Sequence, residues 1–155
     1  MQINILAIES SRPAWAEEAF NSYTARFNKN IKITWKGIKP FKRNSNSNTN
    51  KIIEEEGRLL LTNIKNKGLV ICLDKSGKSF DTLKFKKKFE TWCSLSNEIN
   101  FLIGGPDGLS KECFDKSHES WSLSLLTFPH AMVPVIVMEQ LYRVWSIQQS
   151  HPYHR

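Results

Sequence analysis

The sequence lacks the motifs and segments that mark several large classes of protein. It contains neither the G-x-G-x-x-G spacing of a dinucleotide site nor the G-x-x-x-x-G-K-[ST] of a P-loop. Its three cysteines, Cys72, Cys93 and Cys113, are odd in number and widely spaced, which favours neither a disulfide framework nor a C-x-x-C metal site. No apolar run approaches the length of a membrane span, and the apolar segment after Met1 is too short for a secretory signal. These absences favour a cytoplasmic protein with reduced, buried cysteines.

The length and charge of the chain narrow the possibilities further. With 155 residues, 40% of them hydrophobic, the chain is long enough for one domain with a sizeable core, and we expect a single domain over residues 1–155. Lysine and arginine outnumber aspartate and glutamate by 22 to 15, giving a formal net charge of +7. A compact basic domain typically binds a polyanion such as the phosphate backbone of a nucleic acid. A net charge of this size also occurs in proteins where it only supports solubility, so the charge alone does not identify a binding partner.

The most informative stretch is NFLIGGPDGLS, at residues 100–110. Its apolar residues predict the end of a buried strand, and the segment from Gly104 to Gly108 is dense in turn-forming residues. The adjacent glycines Gly104 and Gly105 have no Cβ atoms to hold a ligand away from the backbone. Because ligands of open α/β sheets gather outside the carboxyl ends of strands, this turn is a candidate binding site. The alternative is an ordinary tight turn before a short helix that Ser110 caps.

Hydrophobic periodicity divides the chain into alternating strands and helices. The strands are short and mostly apolar, as interior strands of parallel sheets are. Their order predicts an α/β fold with a mainly parallel sheet flanked by helices. We predict strands at 3–8, 31–38, 69–73 and 99–103, and a fifth strand along 120–128 with a ligand-sized loop before the next helix. We predict helices at 15–27 and 51–65, from a cap at Ser79 or Asp81 to about 95, briefly after Ser110, and at 131–147.

Two of the predicted helices have an apolar face that indicates how they pack. In helix 51–65 the isoleucines and leucines are expected to face the core, while Glu54, Glu55 and Glu56 point to solvent. In helix 15–27 the predicted core face holds Trp15, Ala19, Tyr23 and Phe27.

Three polar segments lie between these elements or on their surface. Asp74–Lys78 predicts a turn that ends the third strand. Residues 39–50 are rich in asparagine and serine with basic residues at the front, which predicts a mobile loop that either closes over RNA or only connects two elements. The lysines of segment 84–88 indicate a solvated helix face.

Helix 131–147 is apolar almost all round. A helix without a polar face must be covered on several sides, and in so small a protein this predicts a subunit interface. Pro134 is compatible with the helix only in its first turn, where backbone N–H groups have no intrahelical partner.

Four segments in order, LIGGPDGLS, WSLSLLTFPH, EQLYRVWSI and the terminal HPYHR, resemble one family along the whole chain. The chain is similar to the small single-domain SPOUT methyltransferases that methylate N3 of a pseudouridine in 23S ribosomal RNA. The resemblance implies an α/β fold with a carboxy-terminal trefoil knot, a homodimer, and S-adenosylmethionine as methyl donor without a metal. It also implies a substrate in the helix 69 loop of the assembled ribosome.

The resemblance also places the cofactor contacts. Matched residue by residue, they fall on a strand end, on the glycine turn and on segment 120–128, in which hydroxyl-bearing and apolar residues largely alternate. Backbone groups at these places are available to an adenine and a ribose. The implied contacts are Leu73, Gly104, Leu123, Ser124, Leu125, Leu126, Thr127 and Phe128.

The same resemblance selects candidate catalytic residues, namely Tyr153, His154 and Arg155 of the tail together with His130 and Arg143. Arg155 is suited to stabilise the charge that develops on the base or to hold a phosphate, and His154 or a water to accept the N3 proton. Tyr153 is suited to stack on a base. A helix-capping or packing role for His130 is as compatible with its position as catalysis is.

The sequence departs from the family at one position, and two other classes of function are alternatives to this interpretation. The family usually has an arginine where this chain has Pro134, so the contact which that arginine makes to the partner subunit or RNA is in question here. A non-catalytic basic RNA- or ribosome-binding protein would explain the charge. A cysteine hydrolase would use Cys113 with His118 or His130.

Overall fold

The structure is a computed structural model that describes residues 1–44, 46–65 and 68–154, with His154 described by its backbone alone. Ser45 of the predicted loop, the His154 side chain and Arg155 therefore lie outside the described residues. The strands are β1 (Gln2–Ile8), β2 (Lys32–Ile38), β3 (Leu69–Ser79), β4 (Glu98–Ile103) and β5 (Glu119–Ser122), and the helices are α1 (Ala14–Thr24), α2 (Thr49–Thr62), α3 (Thr82–Leu95), α4 (Lys111–Lys116) and α5 (Met132–Gln148), followed by a 3-10 turn at Pro152–His154.

The five strands form one sheet in the order β2-β1-β4-β3-β5, and every neighbouring pair is parallel. The interior strand β4 is buried at all six positions, including the polar residues Glu98 and Asn100, as expected for a central strand of a parallel sheet. The α/β fold with a mainly parallel sheet is thus confirmed. Because all strands run the same way, the loops after them gather at one edge of the sheet.

Helices cover both faces of the sheet, and each face has its own core. Residues of α1, α3 and α5 pack on one face around an aromatic cluster, in which the rings of Phe85 and Trp121 stack with centroids 4.3 Å apart. On the other face, Leu60 of α2 and Cys113 of α4 pack against the sheet. Within the described residues, no helix is long and apolar enough to cross a membrane.

The two predicted helix caps at serine and aspartate are confirmed. Asp81 begins α3, where its carboxylate accepts a hydrogen bond from the backbone N–H of Lys84 at 2.7 Å. Ser110 begins α4, where its hydroxyl accepts from the N–H of Cys113 at 3.2 Å. Each cap satisfies an N–H group that has no partner within its helix.

The predicted end of the third strand is wrong. Asp74–Lys78 does not end β3 but lies within it as an irregularity, because Leu73 and Lys78 both pair with Trp121 of β5. Within the bulge, the Asp74 carboxylate accepts from the N–H of Ser76 at 2.9 Å. The polar residues thus form a local turn while the strand resumes beyond them.

The fifth strand is also shorter than predicted, because β5 ends at Ser122 and residues 123–131 form a loop. The Ser122 hydroxyl donates to the carbonyl of Ser124 at 3.1 Å, and the Ser124 hydroxyl accepts from the N–H of Leu126 at 3.0 Å. These local bonds replace the ladder hydrogen bonds that the alternating sequence predicts.

Two predictions of helix orientation are wrong in part. Tyr23 of α1 and Phe27 just beyond it pack against the core as predicted, but Trp15 is 48% exposed and the fully buried residues of α1 are Ala16 and Phe20. In α2, Glu56 is 1% exposed rather than solvent-facing.

Pro134 is the third residue of α5, within the first turn, as the sequence requires. Its side chain is buried in its own subunit. The position at which the family resemblance implies an arginine is therefore occupied here by a side chain that packs inward.

Candidate functional site

A cleft of about 400 Å³ opens at the carboxyl ends of β4 and β5, beside the bulge of β3, and we call it the edge cleft. Its walls come from Leu73 and the start of the β3 bulge, from the glycine turn 104–108 and from the loop 123–131. Leu125 does not line this cleft and is 91% exposed. The other seven predicted cofactor contacts all line it, namely Leu73, Gly104, Leu123, Ser124, Leu126, Thr127 and Phe128.

The glycine turn has a tight geometry that requires its glycines. The N–H of Gly108 donates to the carbonyl of Gly105 at 3.0 Å, and Gly108 has a φ of +92°. A Cβ atom on Gly104 would lie only 2.5 Å from the backbone carbonyl of Gly108. The turn therefore closes on its own backbone, and all five of its residues line the edge cleft.

A salt-bridge network connects the glycine turn to the loop before α2 and to α2 itself. Nη2 of Arg43 lies 2.9 Å from Oδ2 of Asp107 in the turn and 3.5 Å from Oε1 of the buried Glu56. Sequence reasoning missed this network. The spacing of Ile52, Glu56 and Leu60, each four residues apart, was the available signal, because residues at this spacing share one face of a helix.

The carboxy-terminal tail packs on α1 and α5. The Tyr153 hydroxyl lies 3.0 Å from the Tyr23 hydroxyl and donates to Oε1 of Glu139 at 3.1 Å. Its ring packs edge-on against Tyr142, with centroids 4.7 Å apart. Burial raises the pKa of Tyr153, and the neighbouring Tyr23 and Glu139 raise it further. Tyr153 is therefore a neutral phenol at physiological pH, suited to packing and hydrogen bonding.

Arg143 belongs to the same cluster as Tyr153. Its Nε donates to Oε1 of Glu139 at 3.0 Å, and its guanidinium lies 5.1 Å from the centre of the Tyr153 ring. The hydrogen bond to Glu139 raises the pKa of Arg143. The structure thus brings together two of the candidate catalytic residues.

His130 lies apart from the tail cluster. It lines a second cleft, beside the edge cleft, and its Nε2 atom is buried without a hydrogen-bond partner among the described residues. Along α5, Arg143 lies ten residues beyond Val133, which lines the edge cleft, and the helical rise makes that separation about 15 Å.

The geometry of Cys113 excludes a cysteine hydrolase. Its side chain is 0% exposed, and its Sγ donates to the carbonyl of Gly57 at 3.6 Å. Burial raises the pKa of the Cys113 thiol, which works against the thiolate that such an enzyme needs. Nδ1 of His118 accepts the backbone N–H of Val70 at 3.0 Å and does not activate a nucleophile.

Comparison with known proteins agrees with the sequence resemblance. The family described as "Predicted SPOUT methyltransferase" matches residues 1–154. A relative from Coxiella burnetii (strain Dugway 5J108-111), named "Ribosomal RNA large subunit methyltransferase H", is 41% identical over 155 residues, which is 100% of both chains. A protein of the same name from Methylococcus capsulatus (strain ATCC 33009 / NCIMB 11132 / Bath) is 37% identical, also over 100% of both chains.

Among solved structures, one match is the SpoU methyltransferase AviRb from Streptomyces viridochromogenes in complex with AdoMet. It has a TM-score of 0.47 and 11% sequence identity, and the match covers 97% of this chain and 58% of that one. The family match over nearly every residue and the full-length relatives lead to one conclusion: this chain belongs to the SPOUT methyltransferase family.

Proposed function

We propose that this protein transfers a methyl group from S-adenosylmethionine to N3 of a pseudouridine in 23S ribosomal RNA. The observation that supports this most directly is the edge cleft, where three separate segments bring seven implied cofactor contacts together. The names of the two full-length relatives support ribosomal RNA as the substrate. They favour an enzyme over a non-catalytic RNA-binding protein.

The lining of the edge cleft suits S-adenosylmethionine. Leu73, Leu123 and Phe128 offer apolar surface for a purine, and the peptide groups around Gly104 and Ser124 offer hydrogen bonds to adenine and ribose. When bound, the cofactor supplies a methyl group that its sulfonium has already activated. The protein must then align the pyrimidine with that methyl group and assist the loss of the N3 proton.

The candidate residues divide these tasks according to their chemistry. Tyr153 is a neutral phenol with a raised pKa, which suits it to position the tail or a base rather than to accept the proton. Arg143 is paired with Glu139 and supports the tail. We therefore assign acceptance of the N3 proton to His154 or a water, and stabilisation of the negative charge that develops on the base to Arg155.

The distance along α5 supports a homodimer. Tyr153 and Arg143 lie at the far end of that helix from the edge cleft, so we infer that the tail of one subunit completes the cleft of its partner. The rim of the cleft is apolar and open, with Leu125 91% exposed, Leu126 73% exposed and Met132 36% exposed. Apolar surface of this kind is typical of an interface.

The remaining parts of the proposal follow from the family. We infer that the carboxy-terminal segment forms the trefoil knot, that residues 1–155 act as a single domain, and that the enzyme works in the cytoplasm. A domain this small has little surface with which to recognise an RNA loop by itself. We therefore expect its substrate to be the assembled ribosome.

Calorimetric titration with S-adenosylmethionine, with the dimer mass taken from light scattering, tests the cofactor site first. Ribosomes that lack the modification, incubated with tritiated cofactor, then test the reaction. We expect saturable binding to a dimer and label at N3 of one pseudouridine of 23S RNA. A folded protein that binds no cofactor, or label at a different nucleotide, would overturn the proposal.

A further inference from the structure

The second cleft, which holds His130, is about 610 Å³ in volume and opens at the carboxyl ends of β1 and β2. It lies next to the edge cleft, because Pro106 of the glycine turn lines both. The two clefts are also joined along the chain, since Phe128 lines the first and His130 the second. A ligand in the second cleft would therefore lie beside a cofactor in the edge cleft.

An aromatic side chain is held at the second cleft. The backbone N–H of Phe41 donates to Oε1 of the buried Glu56 at 3.2 Å, and this anchors the loop at that point. Phe41 itself is 37% exposed and lines the cleft. An anchored backbone with an exposed ring is suited to stack on a nucleic acid base.

His130 supplies an unused hydrogen-bonding group at the same cleft. Its Nε2 atom is buried, and no partner for it exists among the described residues. Buried polar atoms in proteins are nearly always paired, so an unpaired one needs an explanation. If the His130 side chain turns this atom toward the cleft, a ligand with a hydrogen-bonding edge, such as a pyrimidine, would provide the missing partner.

The charges around the second cleft favour a phosphate. Glu9 is neutralised by Arg12 at 2.8 Å, and Arg43 is held by Asp107. Lys42 lines the cleft, is exposed, and forms no ion pair with any residue that the structure describes. A free lysine ammonium is available to the phosphate backbone of an RNA.

We propose that the second cleft binds the target pyrimidine nucleotide of the RNA, with its base on Phe41, its polar edge at His130 and its phosphate at Lys42. This rests on the proposed methyl transfer, and it assigns the substrate to a cleft of the same subunit whose edge cleft holds the cofactor. Because methyl transfer needs N3 of the base in direct contact with the methyl group, the base would reach the cofactor past Pro106, the residue that lines both clefts.

Phe41→Ala and Lys42→Glu test this assignment, with Lys87→Glu as the matched control. Lys87 is an exposed residue of α3 that does not line the cleft, and its variant makes the same change of charge. We expect cofactor affinity to stay within about twofold of wild type in all three, because the edge cleft is untouched. For ribosomes, kcat/KM should fall about tenfold in the two cleft variants and stay unchanged in the control.

Phe41→Tyr keeps an aromatic ring and should restore kcat/KM to near wild type, which separates stacking from a general loss of structure. Thermal unfolding checks that each variant is folded. If Phe41→Ala and Lys42→Glu methylate ribosomes as well as Lys87→Glu does, the assignment is wrong.

Photo-crosslinking separates this inference from the reaction itself. Phe41→p-benzoyl-phenylalanine should crosslink to 23S RNA when it is irradiated with ribosomes, whereas the same change at Leu83, which is 66% exposed on α3, should not. A crosslink from position 41 without any methyl transfer would support the cleft and refute the proposed function. Methyl transfer by wild type with no crosslink from position 41 would refute the cleft alone.

Discussion

The guanidinium of Arg43 lies 2.9 Å from the carboxylate of Asp107, and this contact ties the loop before α2 to the glycine turn of the edge cleft. The same guanidinium nitrogen lies 3.5 Å from Glu56, whose second oxygen, Oε2, is buried without a partner among the described residues. A Cβ atom on Gly105 would lie 2.5 Å from that oxygen. Glu56 thus packs against the glycine turn at Gly105, and the guanidinium of Arg43 compensates its negative charge.

The two ends of this network should differ in their importance for stability. Asp107→Asn removes a partly exposed pair, so the free energy of unfolding should fall by less than about 1 kcal/mol. Arg43→Met leaves the buried Glu56 without a cation and should cost roughly 3 kcal/mol. Urea unfolding of both variants measures the difference. Equal losses would show that Arg43 does not stabilise Glu56.

The glycine turn gives a prediction about cofactor affinity. In Gly104→Ala the new Cβ would meet the backbone of Gly108 at 2.5 Å, so the turn must open and affinity for S-adenosylmethionine should fall at least about tenfold. Gly104→Val should abolish binding. The sequence alone suggests that such a side chain would intrude on the adenine, whereas the structure makes the backbone of Gly108 the first obstacle.

Gly108→Ala is the control for this prediction. A Cβ atom there meets nothing within 4 Å, but φ is +92°, so the change should cost roughly 1 kcal/mol of stability through strain alone. Calorimetric titration and thermal melts separate the two effects. If Gly104→Ala binds the cofactor as tightly as Gly108→Ala does, the turn does not shape the site.

The sequence predicted the features whose physical cause lies within one segment, and it missed features that depend on backbone pairing between distant segments or on local hydrogen bonds of side chains. Hydrophobic periodicity predicted the five strands and the four longer helices of the described residues, because each of these segments carries its own pattern of apolar residues. The short helix α4 was predicted from its cap at Ser110, and the 3-10 turn of the tail was not predicted. The bulge of β3 escaped prediction, since it arises from Leu73 and Lys78 pairing with the same residue, Trp121, of a strand more than 40 residues away. The early end of β5 escaped because Ser122 and Ser124 bond to nearby backbone.

The candidate site shows the same division. Residues lining the edge cleft were placed by their resemblance to a family, and periodicity alone did not distinguish them from ordinary strand ends. Glu56 was placed in solvent because its charge outweighed its spacing, and its cation, Arg43, comes from a different segment. That Nε2 of His130 has no hydrogen-bond partner among the described residues is visible only once the chain is folded.

Glu119 predicts how stability depends on pH. Its carboxylate, 8% exposed, accepts hydrogen bonds from Lys88 at 3.1 Å, from Lys78 at 3.3 Å and from the Trp92 indole at 3.3 Å. Burial alone would raise the pKa of Glu119, but the two lysines outweigh it and the pKa is lowered. The stabilisation is therefore complete above the unfolded pKa of about 4.3 and is lost as pH falls through the lower folded value.

Glu119→Gln keeps an oxygen for Trp92 but removes the charge. At pH 7 the variant should be less stable by about 1 kcal/mol, and the difference from wild type should shrink as the pH falls below about 4. Urea unfolding from pH 3 to pH 7 measures it. A difference that stays constant with pH would mean that the charge of Glu119 contributes nothing and that only the shape of the side chain matters.

The position of the tail leads to a prediction about how two subunits share one site. Removing residues 153–155 should leave cofactor affinity unchanged, because the edge cleft is lined by other segments, and should abolish methyl transfer. Tyr153→Phe loses the hydrogen bonds to Tyr23 and Glu139 but keeps the ring, so its stability should fall by only about 1 kcal/mol.

Mixed dimers then show which cleft the tail serves. A subunit without its tail has an intact cleft, and a Gly104→Val subunit has an intact tail; each alone should be inactive as a homodimer. If the tail of one subunit completes the cleft of its partner, co-expressed heterodimers with two different affinity tags should regain one working site of two. Heterodimers that stay inactive, while each subunit folds and the tailless one binds cofactor, would show that each tail serves its own subunit.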